Sequence, residues 1–564
     1  MPAPHPLTLC PAPRLDWSRP GAPVASDFDD IYFSTDGGLE ESHAVFLDGC
    51  GLPQRWQNSQ RFVIGELGFG SGLNFLATWQ MWEESKPSSG HLHFVSIEKF
   101  PFDKEQLTQA LSAWPQLSDK AAALLRQWPG RVKGIHRLHF GDVTLTLVHD
   151  AIDPALESLD MKADAWFLDG FSPTKNPDMW SGGVIKKLAA LSSPGARLAS
   201  FTVAGDVRRA LTEAGFEVVR KEGFGRKRHR LEACFPGENQ HVTYREASRP
   251  TIIGAGIGGL SLAQAFLRRG IKPKLIEDPD HIAASGNAAA LIKPRFDLQD
   301  RPESRFFLSS YLYALQVYES VTLSQGIEHL PKNDAERDRH RKLLAQLPLP
   351  DIHMIAGTNG ALVLPSALAI DPLAYKHSIL EQVAYESKKL DSLPEDESPL
   401  FLAAGYGIHR LLPGGSLRFS RGQLSWANAQ NKCLNPVSYG GYALSVREEI
   451  LIGSTHDPVM AEDNPFALKR EDDFKNFEQF EQSLGLKPVP STTASRASVR
   501  VTTADTLPAI GKTRDNVRVL TGLGSRGFVF APLLAEALVS EYFGDPLPLN
   551  TLVWEKFSTN RLLS

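Results

Sequence analysis

The sequence predicts an α/β protein of two fused units, the second carrying an antiparallel β subdomain. Three observations predict it. Two separate stretches, 61–76 and 251–278, each run from apolar strand through glycine turn to helix. Strand-like and helical runs alternate through the first 245 residues, as a covered parallel sheet requires. From about 405 to 500 the pattern changes to shorter alternating stretches, the mark of antiparallel pairing. The chain has 564 residues, room for two to four folding units at about 100–200 residues each.

In chain order, "MPAPHPLTLCPAPRLDW" lacks a basic segment before a long apolar core, so it reads as a proline-rich arm or lead-in strand rather than a signal peptide. "RFVIGELGFGSGLNFL" (61–76) is strand, turn and helix; "HFVSIEKF" (93–100), "ADAWFLDGF" (163–171) and "ARLASFT" (196–202) are later strands. "DKAAALLRQW" is helical. The polar, aperiodic "GENQHVTYREASRP" (237–250) reads as a linker, giving units 1–245 and 246–564. "TIIGAGIGGLSLAQAFLRRGIKPKLIED" (251–278) repeats strand, turn, helix, strand. "KNDAERDRHRKLLAQ" (332–346) is a solvated helix, "SLRFSRGQLSW" and "GYALSVREEILIGST" are antiparallel strands, and "VRVLTGLG" leads into the helical "APLLAEALVSEYF".

Composition narrows the class. Hydrophobic residues make up 42% and charged residues 22%, and no apolar run approaches the ~20 residues that span a bilayer. Cys10, Cys50, Cys234 and Cys433 lie far apart with no metal-ligand spacing, which predicts a reduced compartment, no disulfide framework and no metal. The net charge of −5 means that any contact with nucleic acid must use a local basic patch. "GRKRHR" (225–230) is the candidate, and a solvated turn before the strand "LEACF" is the plainer reading.

The first glycine turn, "ELGFGSG", holds Glu66, Gly68, Gly70 and Gly72. Glycines let the backbone turn tightly and approach a ligand. A carboxylate before them suits a cationic ligand, such as the amino-acid end of S-adenosylmethionine. Glu98 closes the next strand, where an acid accepts from ribose hydroxyls. Asp142, in "HFGDV", follows a further strand-like run and is placed to reach the adenine; helix capping is the alternative for both acids. Asp169 ends the strand of "FLDGFSPTKNPDMW" (167–180), facing the transferred methyl group. An alkyl amine arrives largely protonated, with a pKa of about 10. Asp169 would orient it, stabilise its positive charge and help pass a proton to water; a turn role in the Asp-Gly loop is the plainer alternative. Phe171 and Trp180 either stack on a planar ring or belong to the core.

The second turn, "GAGIGG", places Gly254, Gly256 and Gly259 in G-x-G-x-x-G spacing between strand and helix, the context a dinucleotide pyrophosphate needs. Glu277 ends the next strand and would accept from the ribose hydroxyls. The small-residue loop "ASGN" (284–287), with Ser285 and Asn287, and the second turn "TGLGSRGF" (521–528), with Gly524, Arg526 and Gly527, favour FAD over NAD. A chain that returns to its cofactor after a long β insertion resembles the glycine oxidase and D-amino-acid oxidase class. In that class R-x-x-x-x-D-x-x-P precedes the final turn; here it is "RVTTADTLP", with Arg500, Asp505 and Pro508. The resemblance implies that Arg500 binds the substrate carboxylate as a bidentate pair; a sheet ion pair is the alternative.

Together, "DDIYFS" (29–34), "HAVFLDG" (43–49), "ELGFGSGLNF" (66–75), "FLDGFSPTKNPDMW", "GAGIGG", "ASGN" and "TGLGSRGF" resemble, in order, one family: the bifunctional tRNA 5-methylaminomethyl-2-thiouridine biosynthesis enzymes of bacteria. One departure is Ala288-Ala289-Ala290, where the family more often has a glycine after "SGN". The resemblance implies a Rossmann-like methyltransferase fused to a D-amino-acid oxidase-like FAD-binding unit. It implies that the C-terminal unit converts the 5-carboxymethylaminomethyl group of the tRNA wobble uridine to 5-aminomethyl, and that the N-terminal unit methylates this amine. A cytoplasmic monomer acting on the tRNA anticodon region is expected. The alternative is a glycine- or sarcosine-type oxidase fused to an unrelated methyltransferase.

Overall fold

The glycine turns punctuate two separate parallel sheets. The computed structural model describes residues 9–18, 22–33, 37–225, 228–238, 249–346, 349–350, 352–395, 399–413, 416–428, 434–460, 464–486, 492–514 and 517–562. The chain forms two compact units: Leu9–Glu246 with Ser540–Leu552, and Ala247–Val539 with Val553–Ser564. Most of the expected linker lies outside the described residues, as do Arg226 and Lys227 of the basic run and Cys433.

In the first unit, β1 (Arg61–Leu67), β2 (His91–Glu98), β3 (Gly134–Phe140), β4 (Val143–His149), β5 (Ala163–Leu168), β6 (Ser192–Ser200), β7 (Glu217–Glu222) and β8 (His229–Cys234) form one sheet in the order β7-β8-β6-β5-β1-β2-β4-β3. All residues of β1, β2 and β5 are buried, as a sheet covered on both faces demands. Successive side chains feed two different cores. Phe62, Ile64, Phe94 and Phe167 enter one; Val63, Leu67, Val95 and Trp166 enter the other. Gly65 is required inside β1, because a Cβ there would lie 2.2 Å from the Trp166 ring. The expected parallel sheet is corrected at its edges. The pairs β3–β4, β7–β8 and β8–β6 run antiparallel, since the connections from β3 to β4 and from β7 to β8 are too short in sequence for a crossover helix. Of "GRKRHR", His229 and Arg230 open β8, and Arg230 pairs with Glu232.

Residues 540–552 return to this unit. Arg61 Nη1 donates to the Gly544 carbonyl at 2.5 Å and Arg137 Nη2 to the Pro546 carbonyl at 2.5 Å. Buried His93 lies 3.5 Å from buried Asp545.

In the second unit, β9 (Thr251–Ile253), β10 (Lys274–Glu277) and two further strands, Leu400–Leu402 and Val517–Thr521, align in parallel. Helix α1 (Ile257–Arg268) follows β9 directly. A ten-stranded, largely antiparallel sheet carries the subdomain. It includes the expected strands, among them Leu417–Asn428 paired with Thr492–Thr503. It also recruits earlier ones: Ala290–Ile292, Thr322–His329 and Leu362–Ile370. Their side chains pair across long sequence separations, so local alternation did not reveal them.

Candidate functional site

In the first unit a cavity of about 730 Å³ opens at the C-terminal ends of the parallel strands. The turn after β1 takes left-handed φ values of 85°, 54° and 76° at Gly68, Gly70 and Gly72, which favour glycine. Glu98 holds this turn: its carboxylate accepts from the Gly70 N–H at 2.9 Å and the Phe100 N–H at 2.7 Å. It also lines the cavity.

Asp169 lines the same cavity, accepting from its neighbour Gly170 N–H at 2.8 Å and from Asn74 Nδ2 at 2.9 Å. Asn74 bridges two acids, since the same Nδ2 donates to Glu66 Oε1 at 3.0 Å. Glu66 is fully buried beneath the cavity and also accepts from Ser96 Oγ at 2.7 Å. Burial, reinforced by the charges of Asp169 and Glu98, pushes its pKa well up. Glu66 therefore sits behind Asn74, and Asn74 is what reaches the cavity. Glu98, Asp150 and Asp169 on its wall make the cavity attractive to a cation, which fits the sulfonium and ammonium of S-adenosylmethionine.

The structure separates Asp142 from this site. It lies in the β3–β4 hairpin turn, paired with Lys86, and its carbonyl meets the Leu92 N–H near the start of β2. Because β3 is antiparallel, that turn falls at the opposite end of the sheet from Glu98. Asp150, immediately after β4, lines the cavity where Asp142 was expected. An acid straight after the apolar run "VTLTLVH" was the available signal. Phe171 lines the cavity, stacked on Phe28 at 4.5 Å with Tyr32 edge-on at 5.3 Å. Trp180 is buried in the core, and its Nε1 donates to the Phe171 carbonyl at 3.0 Å, so it braces the loop.

In the second unit a cavity of about 510 Å³ runs along the G-x-G-x-x-G turn. Gly254 and Gly259 are sterically required: a Cβ would lie 2.4 Å from the Ala403 carbonyl oxygen or 1.7 Å from that of Gly254. Gly256 faces Ser285 Oγ, which accepts from the Ile257 N–H at 2.9 Å at the start of α1. Glu277 lines the cavity and accepts from Lys376 Nζ at 2.6 Å and Tyr385 Oη at 2.7 Å. Asn287 accepts from Arg496 at 2.5 Å. Gly524 is left-handed at φ 55°, and Arg526 and Gly527 line the wall beside it. This glycine cradle, open helix N-terminus and strand-end acid fit the pyrophosphate and ribose of FAD.

Arg500 faces the same cavity from the strand Thr492–Thr503. Its partners are neutral: Ser454 Oγ, the Thr455 carbonyl at 3.4 Å and His456 Nδ1 at 3.4 Å. Burial lowers its pKa and lowers that of Arg526 to about 10, the latter helped by Arg295 and Arg339. Among the described residues neither arginine forms an ion pair. Each brings a positive charge to the cavity wall, which makes the cavity attractive to an anion. Asp505 is a turn residue, accepting from Thr503 Oγ1 at 2.7 Å and the Leu507 N–H at 3.0 Å.

Residues 115–236 match the S-adenosyl-L-methionine-dependent methyltransferase family, and residues 251–541 match the FAD dependent oxidoreductase family. The tRNA 5-methylaminomethyl-2-thiouridine biosynthesis bifunctional protein MnmC of Maricaulis maris is 40% identical, over 95% of this chain and 93% of its own. The chain belongs to the MnmC family. The protein of the same name from Caulobacter vibrioides is 39% identical over 96% of this chain and 95% of its own. Family membership gives the two units S-adenosylmethionine and FAD as cofactors. Of Ala288-Ala289-Ala290, Ala289 is fully buried and Ala290 opens a strand. Among the described residues, no helix is long and apolar enough to cross a membrane.

Proposed function

We propose that this chain performs two consecutive steps on the wobble uridine of tRNA. The second unit oxidises the C–N bond of the 5-carboxymethylaminomethyl group, water hydrolyses the resulting imine to release glyoxylate and leave 5-aminomethyl, and the first unit methylates that amine to give 5-methylaminomethyl-(2-thio)uridine. The observation that carries this reading is the opposite charge character of the two cavities. One presents Arg500 and Arg526 with no acidic partner among the described residues; the other presents Asp169, Glu98 and Asp150. A substrate that loses a carboxylate and becomes a primary ammonium suits the first cavity before the step and the second after it. It would act as a monomer in the cytoplasm.

When bound, FAD supplies a hydride acceptor and S-adenosylmethionine an electrophilic methyl. The residues of the chain do the rest. Arg500 would clamp the substrate carboxylate and fix the C–N bond beside the cofactor. Asp169, its orientation set by Asn74 and the Gly170 N–H, would hold the amine and stabilise the charge it develops on methylation. The Phe28–Phe171 pair offers a wall on which a flipped pyrimidine could stack.

The test is nucleoside mass spectrometry of tRNA from a strain lacking this activity, complemented with wild type, Asp169→Ala or Arg500→Ala. The expected accumulations are, respectively, none, 5-aminomethyl-2-thiouridine and the carboxymethylaminomethyl nucleoside. Faster flavin reduction by free glycine or sarcosine than by tRNA would refute the reading.

A further inference from the structure

Lys293 follows the strand Ala290–Ile292 and lines the oxidoreductase cavity. Among the described residues it has no carboxylate partner. Its Nζ donates to Ser438 Oγ at 2.7 Å and lies 3.4 Å from His329 Nδ1. Ser438 Oγ is itself 2.9 Å from His329 Nδ1. We propose that Lys293 is the proton acceptor for the substrate amine in this cavity, held in place by Ser438 and His329. This rests on the amine-oxidising function proposed above.

The argument is one of hydrogen-bond inventory. A neutral lysine amine has two N–H donors and one lone pair. Ser438 Oγ takes one donor, which leaves the second N–H and the lone pair for the cavity. His329 Nδ1 lies 3.3 Å from the Ser438 carbonyl oxygen, which accepts, so His329 braces Ser438 while adding no charge beside Nζ when it is neutral. Burial and the facing charges of Lys293, His340 and Lys332 push its pKa down to about 3 against the opposing hydrogen bond to the Ser438 carbonyl, so it is neutral throughout the working range. Lys293 is tuned by every charged group around it. Burial lowers its pKa first, Arg526 and Lys332 lower it further, and Glu336 opposes them, for a result of about 8.

The same cations disfavour a charge on the substrate nitrogen, so proton transfer to Lys293 is near balance. In the step, a substrate N–H bond breaks and an N–H bond forms on Nζ, leaving a neutral amine and a lysine ammonium. A neutral nitrogen is the form whose neighbouring carbon would give up hydride when FAD is bound. His329, Glu336 and His340 also bring ligand atoms within 4.8 Å of one another. Lys293 and Lys332 face that group, which argues against a dication there.

Two measurements test this on the holoenzyme. Competitive acetylation read by mass spectrometry should show Lys293 titrating near pH 8; a midpoint near 10 overturns the proposal. Anaerobic flavin reduction by tRNA carrying 5-carboxymethylaminomethyl-2-thiouridine should rise with pH through the same midpoint in wild type. Lys293→Met, checked for unchanged FAD content and visible spectrum, should be slower by about a hundredfold at pH 8, with its midpoint moved up toward that of the substrate amine. An unchanged profile, or a tightly held transition metal at one equivalent, overturns the assignment while leaving amine oxidation intact. No flavin reduction by this tRNA in wild type at any pH overturns both readings.

Discussion

At the scale of single residues, Asn74 is the hinge of the methyltransferase site. One amide nitrogen serves a buried acid and a cavity-facing acid together. Asp169→Ala removes the amine's counter-charge and should cut the methylation rate by two or more orders of magnitude, with the deglycination rate unchanged. Single-turnover assays of the two steps read this directly. Arg500→Ala removes a charged hydrogen-bond donor that typically contributes about 1.5–3 kcal/mol. KM for the carboxymethylaminomethyl substrate should rise roughly ten- to hundredfold, and an unchanged KM would take Arg500 out of the site.

At the scale of elements, the edge hairpin β3–β4 holds two buried histidines on one carbonyl. His136 Nε2 lies 2.8 Å and His149 Nδ1 3.1 Å from the Val132 oxygen. Burial lowers the pKa of both, that of His136 to about 4. The unfolded chain, with ordinary histidines near 6.5, therefore binds more protons than the folded one between those values. Stability contributed here is present above about pH 6.5 and is lost as pH falls toward 4. Glu66, whose pKa is raised, acts in the opposite sense as pH rises through the carboxylate range. Urea midpoints at pH 7 and 5 should show a drop in wild type that His136→Gln reduces. An equal drop in the variant would show that this hairpin does not set the acid sensitivity.

At the scale of the whole molecule, sequence order and compact units part company. The segment Ser540–Leu552 belongs with the first unit, where Gly544 and Pro546 give carbonyl partners to Arg61 and Arg137. Both arginines are buried, so removing those carbonyls leaves polar groups to be satisfied some other way, at a cost of about 1–3 kcal/mol each. A fragment ending at residue 245 should therefore melt several degrees below the same unit in the full chain. Scanning calorimetry with a methyltransferase ligand to mark the transition checks this. Whole-chain tRNA affinity should also fall steeply with salt, since phosphate contacts release counterions, and a gel-shift series measures the slope.

Much of the fold and both cofactor loops were legible in the sequence, because strand-turn-helix units and glycine spacing are local. The steric need at Gly259, which meets the Gly254 carbonyl, the strand-end acids Glu98 and Glu277, and the position of Asp169 follow from residues near in sequence, whereas Gly254 is required by the distant Ala403. What the tertiary structure alone decided lies in pairings across long distances. Antiparallel insertion of β3 reversed the end of the sheet that Asp142 occupies and left Asp150 at the cavity. Packing made Trp180 a brace and Phe171 a wall, a choice that two aromatic residues in one loop do not encode. The same holds for Lys293, whose partners His329 and Ser438 lie 36 and 145 residues away. Local sequence sets which backbone a segment adopts; only the closed fold sets which side chains share a dry, charged space, and pKa values and chemistry are properties of that space.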